Sequence, residues 1–226
     1  AKLEVRRVEK WRENSTSIAF YNVPSMDGSR PGIYYANLAD MTGVQKYVFK
    51  AITFHEGVPG HHFQLALAQE LEGLPKFRKF GGGNAFVEGW ALYAEKLAKE
   101  MGFYTEPMHD FGRLQDEIWR SVRLVTDTGI HAKKWTRQQA IDYFTENTPI
   151  SQQDIVTEVE RYFVNPGQAL GYKMGMTKIL ELRNKAQAEL GDKYDIRDFH
   201  EVVIGTGAMP LPILARQVDR YIAAGR

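Results

Sequence analysis

The sequence contains no cysteine, which excludes disulfide bonds, thiolate-ligated zinc and a thiol nucleophile. It also lacks an apolar run long enough to cross a membrane, and it shows no recognisable signal peptide. No excess of one charge is present, because 29 Lys and Arg residues balance 28 Asp and Glu residues to a formal net charge of +1. This balance gives no reason to expect nucleic acid or an acidic membrane as a partner.

The chain is long enough to bury a substantial core. Its 226 residues are 43% hydrophobic and 25% charged, which is ordinary for a globular protein. We interpret residues 1–226 as a single domain. The chain opens with Ala1 and a strongly charged stretch over residues 2–13, whose pattern predicts a helix that begins upstream. The sequence is therefore expected to be the carboxy-terminal part of a longer protein.

The remaining pattern predicts a mainly α fold with a small β-hairpin or sheet near the amino terminus. Two aromatic and β-branched stretches, residues 17–22 and 32–38, flank the turn signal Asp27-Gly28 and predict two neighbouring strands. No other strand is predicted. Gly and Pro breaks separate nine predicted helices. These cover residues 42–56, 60–72, 84–103, 107–131, 136–147, 150–163, 166–190, 195–204 and 209–224.

The stretch HEGVPGHH, residues 55–62, holds three of the six histidines between two apolar helical patterns. In the related pattern H-E-x-x-H, two His four residues apart share a helix face and bind zinc, and the Glu activates water. Pro59 occupies the position of the second His. Its ring would clash with the carbonyl of His55, so a helix break is predicted at Pro59-Gly60.

The break predicts that His55 ends one helix and that His61 begins the next, with both rings facing one metal ion. Glu56 would then be the general base. On a straight helix His62 would align with His55 better than His61, so the residues alone leave both as the second ligand. The alternative interpretation is a polar cluster at a helix junction.

A catalytic zinc site needs a third protein ligand, and Glu88 is the candidate. It lies among apolar residues of a predicted amphipathic helix, where a buried carboxylate requires a partner. Glu95, seven residues later on the same face, is positioned to orient a ligand histidine. Gly89 leaves room for a close approach to the backbone. The alternative is that Glu88 is solvated or salt-bridged.

Later stretches offer candidate substrate-binding and catalytic groups. Asp127 and His131 are four residues apart, so Asp127 is expected to hold His131, which would donate to a tetrahedral intermediate. The alternative is a surface pair. Near a Pro-Gly break, Tyr172 is a candidate oxyanion donor, and Arg161 or Lys173 would bind a substrate carboxylate.

The predicted hairpin also carries candidate substrate contacts. The aromatic strand over residues 32–38 is expected beside the cleft, with an edge that pairs with an extended peptide. Arg30 is expected at the rim, where it would bind a peptide carboxylate.

Five ordered stretches, HEGVPGHH, EGWALYAE, DTGIHAKKWT, NPGQALGYKMG and DGSRPGIYYAN, together resemble the carboxy-terminal half of a large, mostly bacterial family long catalogued as a domain of unknown function. The resemblance covers nearly the whole chain. It implies an additional helical region on the amino-terminal side as an intramolecular partner, and many members are exported or lipoproteins. The family in turn resembles the glutamate-type zincin metallopeptidases.

The resemblance implies a zincin-like helical domain with Zn²⁺ on His55, His61 and Glu88. Glu56 would act as the base, and the family's Pro-Gly-His step favours His61 over His62.

By order and chemistry, His131 and Tyr172 become the groups that steady the oxyanion. The sequence thus predicts a zinc-dependent metallopeptidase that acts on a peptide or small molecule. The alternatives are a catalytically inactive zincin-fold binding module, a metal-dependent hydrolase of a non-peptide substrate, and a metal-free helical interaction domain.

Overall fold

The structure is a computed structural model that describes residues 1–39 and 45–225. It is mainly helical with a three-stranded sheet near the amino terminus, which confirms the predicted fold class. The strands are β1 (Leu3–Arg7), β2 (Ala19–Asn22) and β3 (Gly32–Ala36). The α-helices of the described ranges are α1 (Lys46–Glu56), α2 (His61–Glu70), α3 (Lys76–Phe80), α4 (Asn84–Glu100), α5 (Pro107–Lys133), α6 (Arg137–Asn147), α7 (Gln152–Val164), α8 (Gly171–Leu190), α9 (Ile196–Ile204) and α10 (Leu211–Ala224).

The helix predicted over residues 2–13 is wrong. This segment forms β1 and then a 3-10 helix, Lys10–Ser15. β1 pairs in parallel with β3, from Leu3 opposite Gly32 onward, and supplies the hydrogen-bond partners that β3 needs on that side. Pairing with a buried strand overrides the local helical pattern, because strand preference depends on the neighbouring strands.

β3 lies at the centre of the sheet, because β1 occupies one of its edges and β2 pairs antiparallel with the other. The predicted pairing of neighbouring β2 and β3 is confirmed. The expected free edge for an extended peptide on residues 32–38 is wrong, since both sides of β3 are already hydrogen-bonded. Tyr34 and Tyr35 are buried, as expected for a central strand covered on both faces.

Most predicted helices are present with shifted ends. Residues 42–44 of the first predicted helix lie outside the described residues. The helix predicted over residues 166–190 divides into a 3-10 turn, Gln168–Leu170, and α8. α3 was not predicted. None of the helices in the described ranges has both the length and the apolar character needed to span a bilayer.

Helix α4 lies at the centre of the helical part. Its residues 90–95 are all buried, and this is typical of a helix surrounded by others rather than lying on a surface. Its apolar side chains form one core cluster with those of α8, α9 and α10. A second cluster joins α5, α6 and α7. The candidate site lies where α1, α2 and α8 approach α4.

Glycines allow α4 and α8 to approach at backbone distance. A Cβ on Gly89 would collide with the Gly175 backbone, and a Cβ on Gly175 would collide with the Ala85 carbonyl. The predicted room at Gly89 is therefore filled by another helix. This contact fixes the start of α8, and with it Tyr172, against the helix that carries Glu88.

Candidate metal centre

The stretch HEGVPGHH forms the helix–break–helix that its proline predicts. Helix α1 ends one residue after His55, and α2 begins one residue after Gly60. The indole Nε1 of Trp90 donates to the Pro59 carbonyl at 2.8 Å and ties the turn to α4. A Cβ on Gly60 would collide with the carbonyl of His55, so only glycine allows the turn to fold this closely against α1.

This turn brings His55 and His61 together with Glu88. One ligand atom from each residue lies within 4.8 Å of the others. Glu88 Oε2 is 3.7 Å from His55 Nε2 and 3.2 Å from His61 Nε2. The two imidazole rings are perpendicular, with centroids 4.7 Å apart. The three side chains, from α1, α2 and α4, offer two nitrogen donors and one oxygen donor, a set that suits a divalent cation.

His62 lies outside this cluster. Its Nδ1 is hydrogen-bonded to the Tyr21 hydroxyl at 2.9 Å, and its ring packs against Gly32 of the central strand. The geometry thus separates two neighbouring histidines. His61 points to Glu88, and His62 attaches α2 to the sheet.

Glu95 makes the contact expected of a carboxylate that orients a ligand histidine. Its Oε1 lies 2.7 Å from His55 Nδ1, and both residues are buried. When the ring is neutral, an Nδ1 proton donated to Glu95 leaves Nε2 of His55 as the lone-pair nitrogen facing Glu88 and His61. This tautomer is the one that a metal ligand needs.

The electrostatics of the cluster favour a cation. Burial lowers the pKa of His55, but the neighbouring carboxylates of Glu88 and Glu95 outweigh it and raise the pKa to about 10. Burial raises the pKa of Glu88, yet the neighbouring His55 and His61 hold it well below its usual range. An ionised Glu88 in this half-buried place is stabilised by a positive partner.

Two buried atoms of the cluster have unmet hydrogen-bonding capacity. Among the described residues, neither Glu88 Oε2 nor His61 Nδ1 has a hydrogen-bond partner. Although Glu88 Oε2 is close to His61 Nε2, the two are not aligned as a hydrogen bond. An oxygen that faces two ring nitrogens without bonding to either is suited to sharing a metal ion with them, so the donor set fits zinc.

Gln168 holds Glu88 from the other side. Its Nε2 donates to Glu88 Oε1 at 3.3 Å and to the Tyr172 hydroxyl at 3.2 Å. Arg161 donates to Gln168 Oε1 at 2.7 Å, so only one orientation of the amide satisfies all three contacts. Arg161, a predicted substrate-binding residue, thus bonds to a residue that holds the cluster. Sequence reasoning missed Gln168, which follows a Pro-Gly break and carries no charge.

Tyr172 lies beside the cluster. Its ring is stacked on that of His55, with centroids 6.1 Å apart and planes inclined by 20°. Burial raises the pKa of its hydroxyl, so the group keeps its proton and acts as a donor. The guanidinium of Arg123 lies 4.5 Å from the centre of the same ring. The structure thus places the ring of Tyr172, a predicted oxyanion donor, against His55 of the cluster.

Glu56 is buried at the end of α1, next to His55. Within the described residues its carboxylate makes no hydrogen bond or ion pair.

The structure separates His131 from its expected carboxylate. Asp127 accepts a hydrogen bond from the Gly167 backbone N–H at 3.0 Å. His131 is exposed near the end of α5, and its Nε2 is 2.9 Å from the Tyr162 carbonyl. The predicted Asp127–His131 pair is wrong, because main-chain groups take both partners. No contact in the described ranges joins His131 to the cluster.

Two predicted substrate-binding residues have other contacts. Lys173 forms an ion pair with Glu117 of α5. Arg30 is exposed and borders a separate cavity of about 510 Å³ on the sheet side of α2. Neither contacts the His55–His61–Glu88 cluster in the described residues.

Sequence reasoning also missed a buried charged network behind the cluster. Arg120 pairs with Asp116 at 2.8 Å, and Arg123 pairs with Glu158 of α7 at 2.8 Å. Both guanidinium groups lie over the ring of Tyr172. The available signal was the i, i+4, i+7 spacing of Asp116, Arg120 and Arg123, which places three charges on one helix face.

The fold and the cluster define a class of protein: a mainly helical domain in which a buried histidine, a half-buried histidine and a half-buried glutamate lie in an arrangement suited to a divalent metal ion. The chain belongs to the DUF885 family, described as "Bacterial protein of unknown function", whose sequence pattern matches residues 1–218. No curated protein matches the chain.

Two solved structures share the fold. One, from Colwellia psychrerythraea, is described as a "putative lipoprotein". It is 48% identical, with a TM-score of 0.97 over 99% of this chain. The other, from Shewanella oneidensis, is described as a "putative lipoprotein of unknown function". It is 23% identical, with a TM-score of 0.75 over 95% of this chain. This chain spans only 38% and 40% of those two proteins.

Proposed function

We propose that this protein is a zinc-dependent, metallopeptidase-like hydrolase of the glutamate-type zincin kind. The observation that carries the proposal is the convergence of His55, His61 and Glu88 from three helices, with Glu95 behind His55. A metal-free interaction domain has no need to bury an ionised carboxylate against two imidazoles. The order His-Glu, His and then Glu matches the roles that such hydrolases require.

In this proposal His55, His61 and Glu88 hold the zinc ion. When bound, zinc supplies Lewis acidity, which polarises the carbonyl under attack and lowers the pKa of water at the site. Glu56 accepts the proton that the attacking water loses, and it later returns the proton to the leaving amine. Its burial and its lack of another partner suit this task.

Tyr172 donates a hydrogen bond to the oxyanion. Its hydroxyl oxygen accepts from Gln168 Nε2, so its own proton remains available for the substrate. His131 was the other expected donor. Its Nε2 lies at hydrogen-bond distance from the Tyr162 carbonyl, so we assign it no role in the reaction. Arg30 and Lys173 likewise receive no role in the reaction.

We also propose that the protein is exported, as lipoproteins are. The proposed location rests on the descriptions of the two related structures, of which the Colwellia protein is 48% identical. A peptide is the preferred substrate class, because the groups around the cluster suit attack on an amide carbonyl. The chemistry is shared with hydrolysis of other carbonyl compounds.

The test is metal content measured by mass spectrometry on protein purified without added metal. Wild type and Glu56→Gln are expected to carry about one zinc per chain, because Glu56 is not a ligand. Glu88→Ala is expected to carry much less. Absence of metal from all three proteins, even after zinc is supplied, would show that the proposal is wrong.

Turnover separates a hydrolase from an inactive binding module. The longest natural form of the protein is incubated with a synthetic peptide library, and cleavage sites are mapped by mass spectrometry. Cleavage that Glu56→Gln abolishes while retaining zinc supports the hydrolase. Zinc retention without cleavage by wild type would identify a binding module instead.

A further inference from the structure

A cavity of about 340 Å³ adjoins the candidate metal centre. We propose that it is the subsite that takes an apolar side chain of the substrate, next to the carbonyl under attack. This inference rests on the proposed function and goes beyond it by naming the substrate's side-chain class.

Glu88 links the cavity to the candidate metal centre. Its carboxylate belongs to the metal cluster, and the same residue forms part of the cavity wall. A substrate carbonyl held at the cluster therefore has its neighbouring side chain within reach of the cavity. The walls come from the residue after β2, from α2, from the end of α3 and the start of α4, and from the end of α9 with the connection to α10.

The lining is predominantly apolar. It includes Val23, Leu65, Phe80, Val87, Ile204 and Ala208. The basic side chain in the wall, Lys79, donates its ammonium to the Gln69 carbonyl at 2.9 Å and so has a partner within the protein. The volume lies at the lower end of the range for small-molecule sites, which suits one side chain of the size of leucine or phenylalanine.

One polar group in this wall lacks a partner. Gln64 is 2% exposed, and its Nε2 is 3.4 Å from the Phe86 carbonyl. Its Oε1 has no hydrogen-bond partner among the described residues. A buried carbonyl oxygen in an apolar wall is costly unless a ligand N–H reaches it. Peptides supply such N–H groups beside every side chain.

The test measures binding, so it does not depend on turnover. The probes are the hydroxamates of glycine, L-aspartate, L-leucine and L-phenylalanine, which share one metal-chelating group and differ in side chain. Each is titrated by calorimetry into the zinc-loaded full chain. The leucine and phenylalanine compounds are expected to bind about 10–100-fold tighter than the glycine compound, from burial of their side chains. The aspartate compound is expected to bind no tighter than the glycine compound.

Variants locate the binding to this cavity. Ala208→Phe fills the cavity and is expected to remove most of the advantage of the apolar compounds while leaving glycine hydroxamate unchanged. Leu65→Trp, on a different wall, is a second filling variant in case the first does not fold. The matched control is Ala188→Phe, at an exposed position of α8, which is expected to leave all four affinities unchanged.

The outcomes separate this inference from the proposed function. Equal affinity for all four compounds, or an unchanged preference in both filled variants, overturns the subsite while leaving the metal site intact. A protein that holds no zinc and does not bind even the glycine compound overturns the proposed function and the subsite together.

Discussion

Gln168 is the side chain that fixes which oxygen of Glu88 faces the two histidines. We expect Gln168→Ala to weaken zinc affinity by about 10–100-fold, because the carboxylate loses the donor that holds its other oxygen. Affinity is measured by competition with a chelator of known strength. Gln153→Ala, at an exposed position of α7, is the matched control and is expected to leave zinc affinity unchanged. Unchanged affinity in Gln168→Ala would remove its positioning role.

Alanine variants of the adjacent histidines His61 and His62 test which of the two binds zinc. His61→Ala is expected to abolish tight zinc binding. His62→Ala is expected to keep zinc, but to lower the free energy of unfolding by about 1–3 kcal/mol, because the half-buried Tyr21 hydroxyl loses its partner. Zinc content and urea unfolding are measured on both variants. The reverse pattern would make His62 the ligand.

At the scale of single residues, the sequence predicted those site residues whose role depends on near neighbours in the chain. His55, Glu56 and His61 lie within seven residues, and a proline dictates the break between them. Glu88 was predicted from apolar surroundings that make a buried carboxylate conspicuous, and Glu95 from its place on the same helix face seven residues later. Gln168 was not predictable, because its contact with Glu88 spans 80 positions and a glutamine after a turn is unremarkable.

At the scale of elements, the crossing of α4 and α8 depends on the absence of side chains at Gly89 and Gly175. Gly89→Ala is expected to lower the free energy of unfolding by about 1–3 kcal/mol or more. The reason is that the new methyl group would collide with the Gly175 backbone. Urea unfolding measures the change. Gly83→Ala is the matched control at the start of the same helix. The nearest atom to its new methyl group would be 3.8 Å away, so the expected loss is below about 1 kcal/mol.

The α5–α7 contact is expected to be sensitive to acid. Burial alone would raise the pKa of Glu158, but the charges of Arg123 and Arg161 outweigh it and lower the pKa to about 2, from an ordinary value of 4.5. A lowered pKa in the folded state gives stability that is fully present above pH 4.5 and is lost as the pH falls towards 2.

The comparison with Glu158→Gln isolates this contribution. The stability advantage of wild type over the variant is expected to shrink by about 3 kcal/mol between pH 6 and pH 2. Urea unfolding at several pH values measures it. An advantage that does not change with pH would show that the carboxylate is not selectively stabilised in the folded protein.

Sequence patterns predicted elements whose character is set within the element itself. Helix α4 was predicted from the amphipathic pattern of its own residues. β1 was not predicted, because the charged residues around Val5 form a strand only when β3 offers a partner edge some 30 residues away. Because the pairing of β1 was not predicted, the pattern also did not show that β3 would be hydrogen-bonded along both edges.

Across the whole molecule, the proposed metal ion would have ligands on three helices, so its binding is expected to be coupled to folding. Zinc at 1,000 times its dissociation constant is expected to raise the free energy of unfolding by about 4 kcal/mol, because the unfolded chain does not assemble the site. Scanning calorimetry at a series of buffered zinc concentrations measures the rise in Tm. Glu88→Ala is expected to show little dependence on zinc, and a rise equal to that of wild type would place the ion elsewhere.

The overall architecture was predictable to the level of class, since helical periodicity runs through most of the chain. The relation between helices was not, because it depends on pairs such as Gly89–Gly175 and Arg123–Glu158 whose members are far apart in sequence. Long-range pairs of this kind leave no periodic signal in either segment.

The order of these groups along the chain has a consequence for biosynthesis. The three candidate ligands emerge from the ribosome within residues 55–88, whereas Tyr172 follows more than 80 residues later. A nascent chain that has captured a cation would still lack the hydroxyl proposed to assist the reaction. We expect the finished site to become hydrolytically competent only after α8 has docked on α4, which would spare unfolded neighbouring chains from premature cleavage.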